Sequence, residues 1–258
     1  MGFKHHKVLW AIAATVYAFL YLPLLIVVIY SFNDSRLNAE WVGFTLHWYR
    51  VLFADAQMLG AARNSLIIAL ITSGVSTVLG TLAGFAMYKY KLRLLPILVL
   101  TPIAIPEILM GLSLLVFFVT LNFTMGFVSI TLAHIAFCIG FVAIVVRSRL
   151  QGMDEALVEA ARDLGATPFN AFRLITLPLI MPGIVAGTLM AFTLSIDDFV
   201  ITYFTAGAGA STLPLQIYSM LKIAVTPEVN AISSLLMLLT LALIFIAGKL
   251  APSALHAE

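Results

Sequence analysis

The chain has 258 residues, 62% of them hydrophobic and 10% charged, with a mean hydropathy of +1.08. Soluble domains carry about 25% charged residues, so the composition excludes an ordinary soluble protein and requires an integral membrane one. The net charge of +2 says little about partners, because in such a chain the distribution of charge matters more than its sum, and the lone Cys138 excludes an intrachain disulfide.

Apolar runs of about 20 residues predict six spans, at 8–32, 65–87, 94–121, 127–146, 183–205 and 228–250. The first follows MGFKHHK. Its run is longer than the roughly 7–15 residues of a signal-peptide core and has no convincing small-residue cleavage site, so it is read as a retained span. In the loop at 33–64, Thr45 is expected to cap a short helix, with Trp41, Phe44, Trp48 and Tyr49 as an interfacial aromatic cluster.

The third span reads TPIAIPEILMGLSLL. Pro102 and Pro106 are expected to kink or break it and to free carbonyls toward a cavity, with Glu107 just beyond. In the fourth span, His134 is expected to hydrogen-bond a neighbouring helix rather than to relay protons.

The cytoplasmic segment at 150–182 is predicted to form a helical hairpin. Asp154 caps a first helix with Leu157, Ala160, Ala161 and Leu164 on one face, and Gly165 ends it. Thr167 and Pro168 start a second helix lined by Phe169, Phe172 and Ile175, which Pro178 is expected to close; taken alone, the hairpin reads equally as an amphipathic connector resting on the membrane.

The fifth span carries FTLSIDDFVITYFTAG. Ionisable residues in a membrane mark a pathway by default, and at 1.5 Å per residue Glu107 and Asp197 would lie about 20 and 21 Å above their cytoplasmic starts, in one layer. No Lys or Arg in either span offsets them. A cationic cargo follows, with Phe199 and Tyr203 offering aromatic faces to it. A helical wheel sets Ser195 near Thr202 with Asp198 and Phe199 on either side, which favours Asp198 over Asp197 for the pathway unless the helix unwinds there. A structural role, capping a broken helix end, is the competing reading of this pair.

Beyond this span, Pro214, Leu215, Tyr218 and Leu221 predict a short helix. Thr226 and Pro227 then start the last span, with Glu228 near its N-terminus.

Topology follows from the positive-inside rule. Lys4, Lys7, Lys89, Lys91, Arg93, Arg147, Arg149, Arg162, Arg173 and Lys249 fall on the cytoplasmic side, and Arg36, Arg50, Arg63 and Lys222 outside, when both termini are cytoplasmic. There is no GxxxxGK[ST] loop; the Gly248–Lys249 pair ends the last span and is followed by Leu250. Energy is expected from a partner. Ser113 in GLSLL lacks the glycine of a GxSG protease site, and neither HExxH nor an acidic metal cluster occurs. No catalytic residue, metal site or nucleic-acid partner is expected.

The hairpin resembles the EAA loop of ABC-importer permeases: Glu159, Ala160, Ala161, three residues, Gly165, nine residues, Ile175, one residue, Leu177 and Pro178. The segments SFNDSRL, LHWYRVLF, LAHIAFC, FTLSIDDFVI and LPLQIYSMLKIAVTPEVNA are similar to PotC-type permeases of spermidine/putrescine importers, from the first span to the last. The resemblance implies an all-α integral membrane protein with six transmembrane helices, the type I permease architecture, one permease domain over 1–258 and a coupling helix within 150–182. It implies a bacterial inner-membrane location and assembly with a second homologous permease, two ATP-binding subunits that hold ATP and Mg, and a periplasmic polyamine-binding protein. It also implies a contact from Glu159 to the ATPase, and acidic recognition of a polycation by Glu107, Asp197 and Asp198. A permease for another small solute and a gradient-driven secondary transporter remain as alternatives.

Overall fold

The computed structural model describes residues 2–35, 40–90, 93–223 and 226–250, with side chains at 8–35, 40–90, 93–223, 226–243 and 245. Arg36, Leu37 and Lys91, and the side chains of Lys4, Lys7 and Lys249, lie outside what is described. Among the described residues the chain is helical, and its one isolated β-bridge joins Asn33 and Phe44.

Two compact units emerge. One comprises residues 1–59 and 216–239, the other residues 60–215 and 240–258. In the first, α1 (Gly2–Tyr30) carries an apolar stretch, Val8–Tyr30, none of which is buried. After it, Asn33 is fully buried and organises the loop: its amide donates to the Glu40 carbonyl at 2.7 Å and accepts from the Val42 N–H at 2.8 Å. Trp48 donates its indole N–H to the Asn33 carbonyl at 2.9 Å. The expected short helix is α2 (His47–Ala54); Thr45 sits one residue outside the cap position and accepts from the His47 N–H at 3.1 Å. The aromatic cluster of the loop packs around it, with Phe32 stacked on Phe44 at 5.2 Å.

The second span starts earlier than predicted, because α3 runs from Ala56 to Lys89 without a break. The third is broken: α4 (Leu94–Ala104) and α5 (Glu107–Thr120) meet at 109°. Pro102 is accommodated inside α4, and the break falls at Ile105–Pro106, where the extended Ile105 precedes a proline. The bend removes the straight-rod basis for placing Glu107 at the depth of Asp197, so that comparison does not stand.

Next come α6 (Phe127–Gln151), α7 (Ala156–Asp163), α8 (Pro168–Ala171), a π-turn (Phe172–Thr176), α9 (Leu177–Asp197) and α10 (Val200–Thr205). The predicted end at Pro178 is wrong: Pro168–Asp197 forms one 30-residue helical run. Proline lacks an N–H and its ring crowds the carbonyl four residues back. The π-turn relieves both, with the Leu177 N–H bonding five residues back to the Phe172 carbonyl. The predicted fifth span is also interrupted, since residues 198–199 separate α9 from α10.

The short helix α11 (Leu213–Leu221) and the final α12 (Pro227–Leu250) match their predicted starts. Thr226 does not cap α12 through its side chain, because its buried hydroxyl has no hydrogen-bond partner among the described residues. Among the described residues four helices are long and apolar enough to span a membrane, and the bent α4–α5 pair, taken as one span, makes a fifth. With α12 as the last, the arrangement follows the six-span plan.

The core of the second unit lies where α6 packs along α9 and beneath α10, with Ala133, Cys138, Val142, Val146, Leu150, Ala191 and Ile201 buried. Lipid tails are as apolar as leucine, so this association rests on close packing. A methyl added at Gly80 of α3 would lie 2.6 Å from the Val142 Cβ, and one at Gly84 would lie 2.8 Å from the Ala143 carbonyl. Small residues let α3 lie against the backbone of α6.

Candidate functional site: a broken membrane span and an exposed hairpin

Between α9 and α10 the chain turns out of the helix at Asp198, whose ψ of 124° is extended. The freed N–H groups at the start of α10 need acceptors. Asp198 supplies one, taking the Thr202 N–H at 2.8 Å and the Thr202 hydroxyl at 2.9 Å on the same carboxylate oxygen. From α6, His134 completes the arrangement. Its Nε2 lies 2.9 Å from the Thr202 hydroxyl and 3.2 Å from the Asp198 carboxylate, and its Nδ1 lies 2.8 Å from the Ser195 hydroxyl on α9. The side chains of His134 and Asp198 are 2% and 6% exposed. Both ring nitrogens are engaged, so this buried group meets the requirement that polar atoms away from water find partners.

His134 is thus the interhelical hydrogen bonder anticipated, and Ser195 and Thr202 share the face that the helical wheel gave them. The wheel does not extend past Asp197, because the helix unwinds there. The two acidic neighbours face different surroundings in consequence. Asp198 is turned inward, whereas Asp197 is exposed, with the Thr240 hydroxyl of α12 at 3.5 Å, the long limit of a hydrogen bond. The Phe199 and Tyr203 rings lie 5.6 Å apart, tilted at 44°, and half of Tyr203 is exposed. Glu107 is exposed at the first turn of α5, where the helix dipole favours a carboxylate. Sequence reasoning missed the joining of His134 to Asp198 and of Asp197 to Thr240. The seven-residue spacing of Ser195 and Thr202 opposite an intramembrane histidine was the available signal for the first.

The hairpin follows the expected plan in its first half. Asp154 accepts the Ala156 N–H at 2.9 Å, α7 carries Glu159, Ala160 and Ala161, and Gly165 turns the chain at φ +88°, a left-handed conformation that glycine adopts without Cβ strain. Thr167 then caps α8, accepting the Asn170 N–H at 3.3 Å, with Pro168 in the first turn. Pro178 is exposed, and Ile175 and Leu177 are half-buried at the root of α9. Phe172 packs edge-on against Phe85 of α3 at 5.3 Å, and Tyr88 donates its hydroxyl to Glu155. These contacts tie the hairpin to the end of α3.

Its outer surface is uncovered. Leu164 is 90% exposed and Phe169 69%, and Glu159 and Ala160 are exposed beside them. A groove of about 400 Å³ separates the hairpin from the helix ends, lined in part by Phe85, Lys89, Glu159, Arg162 and Phe172. An exposed apolar stripe rimmed by charge is the form of a surface that meets a protein or a membrane.

Residues 76–256 match the family described as binding-protein-dependent transport system inner membrane component. The chain is 43% identical over 232 residues to the spermidine/putrescine transport system permease protein PotC of Escherichia coli K12, covering 89% of this chain and 88% of the relative. It is 42% identical over 231 residues to the putrescine transport system permease protein PotI of the same organism, covering 86% and 82%. Among solved structures it is similar to a chain of a bacterial ABC transporter that imports alginate, with a TM-score of 0.71, 15% identity and coverage of 95% and 96%. A chain of the MetNI methionine ABC transporter gives a TM-score of 0.65 at 19% identity, covering 81% and 99%. The identities to solved structures are low enough that they speak for the fold alone, while the match over most of the chain speaks for descent. The chain therefore belongs to the family of binding-protein-dependent transport system inner membrane components, the permease subunits of ABC importers, and is not itself an enzyme.

Proposed function

We propose that this chain is the permease subunit of an ATP-driven polyamine importer and moves spermidine or putrescine inward by alternating access. The observation that carries the cargo is the similarity to two polyamine permeases over nearly the whole chain. The exposed carboxylates of Asp197 and Glu107, with no Lys or Arg in their own helices, fit a polycation. We assign both to the pathway with Phe199 and Tyr203, whose ring faces attract ammonium groups. Asp198 serves the same pathway from behind, fixing with His134 the break that presents Asp197.

Residues 1–258 act in this reading as one permease domain, and its partners are a second related permease, two ATP-binding subunits that hold ATP and Mg, and a periplasmic polyamine-binding protein. Glu159, Ala160, Ala161 and Gly165 form the face that docks on an ATP-binding subunit, and Ile175, Leu177 and Pro178 join that face to the span. The excess of Lys and Arg on the hairpin side supports cytoplasmic termini in a bacterial inner membrane.

Transport by the reconstituted complex, measured with a panel of amines and neutral solutes, tests the reading. Polyamine uptake should require ATP and the binding protein and be accompanied by stimulated hydrolysis. Uptake of a neutral solute in preference to amines would replace the cargo, and gradient-driven uptake by this chain alone would replace the mechanism.

A further inference from the structure

At the end of the bundle that carries the hairpin, α3, α4, α6 and the connection between α3 and α4 border a second cavity of about 440 Å³, lined by Tyr90, Arg93, Arg147 and Gln151 among others, with no carboxylate among the described lining residues. Among the described residues neither arginine has an ion-pair partner, and the Arg147 Nε is buried without a hydrogen bond. Buried polar atoms left in that condition are rare and call for a partner. Two guanidiniums with a phenol and an amide beside them suit a phosphate, whose oxygens accept the paired N–H groups of arginine.

Pro96 lines this cavity and also a neighbouring apolar groove of about 330 Å³, formed by Pro96, Ile97, Leu100, Thr101 and Ala104 along α4. A basic pocket that shares a wall with an apolar surface groove matches a molecule with an anionic head and a hydrocarbon tail. A free phosphate would satisfy the first and leave the second bare. Helix ends at this level lie near the membrane boundary, where anionic headgroups collect.

We propose that this corner binds one anionic phospholipid, its phosphodiester between Arg93 and Arg147 and an acyl chain along α4. The site is separate from the proposed cargo pathway and does not depend on which solute is carried.

Native mass spectrometry of the purified importer complex tests it, with phosphatidylglycerol and phosphatidylcholine of the same chains added in turn. The wild type should hold one phosphatidylglycerol in preference to phosphatidylcholine by roughly thirtyfold, with Arg93→Gln and Arg147→Gln each lowering the preference by about fivefold. Ala104→Trp, which fills the groove and leaves both arginines in place, should weaken phosphatidylglycerol binding, and excess inorganic phosphate should not displace the lipid. Equal binding of the two lipids by the wild type, or unaltered selectivity in Arg93→Gln/Arg147→Gln, overturns the proposal. Displacement by inorganic phosphate together with no effect of Ala104→Trp also overturns it, because the pocket would then serve a free anion. Should the arginine variants fail to assemble, the wild-type selectivity and Ala104→Trp still decide the matter.

Discussion

At residues 172–176 the helical ladder widens into a π-turn beside a hairpin whose apolar side chains are exposed, whereas at residues 198–199 it stops among buried, mutually bonded polar side chains. One continuous run, 168–197, joins the two irregularities. The inner break is closed by the chain itself: His134, Ser195, Asp198 and Thr202 satisfy one another within a single unit. At the hairpin, Leu164 and Phe169 are left facing outward. In the proposed function, the exposed end would receive force from an ATP-binding subunit and the self-satisfied end would hold a fixed geometry in the membrane.

The most damaging change should be at the buried end. His134→Phe leaves the Asp198 carboxylate with Thr202 alone and should lower the stability of the complex by about 3 kcal/mol, the scale for removing one member of a buried pair. A thermal unfolding midpoint measured on the purified complex would show the drop. Adding Asp198→Asn should recover part of that loss, since removing both partners costs less than orphaning one. If the double variant is as unstable as the sum of the two singles, the pair is not coupled.

At the exposed end, Glu159→Lys leaves this fold alone and should instead weaken retention of the ATP-binding subunit by about a hundredfold, the scale of a like-charge clash at an interface. Copurification and stimulated ATP hydrolysis provide the readings, and normal coupling would remove Glu159 from the docking face. Asp197→Asn tests the product of the inner break: kcat/KM for polyamine uptake should fall about tenfold, the scale of a hydrogen bond to a charged group, with assembly intact. Unchanged kinetics would take Asp197 out of the pathway.

Leu164→Ser gives the smallest effect on the fold and the sharpest contrast. At 90% exposure, the change should alter the stability of this chain by less than about 0.5 kcal/mol while still reducing copurification of the ATP-binding subunit. A large destabilisation would mean that the hairpin is part of the chain's own core.

The hairpin was legible because each of its parts is a local rule: Asp154 and Thr167 as caps, Gly165 where a left-handed turn is needed, Pro168 in a first turn. The rule failed at Pro178, which ends most helices and here is carried by a wider turn that only the packed context selects. Pro106 was a correct signal for a break in the third span, yet the 109° angle was not available from it. That angle undid the depth comparison between Glu107 and Asp197, a comparison that assumed straight rods.

Composition and periodicity determined by themselves that this is a helical membrane protein and roughly where its long apolar helices lie, because those properties depend on residues near one another in the chain. The different surroundings of Asp197 and Asp198 were decided by tertiary structure. Adjacent in sequence and alike in chemistry, they differ because His134, more than sixty residues earlier on α6, reaches one of them and not the other, a pairing set by how α6 packs against α9 and α10.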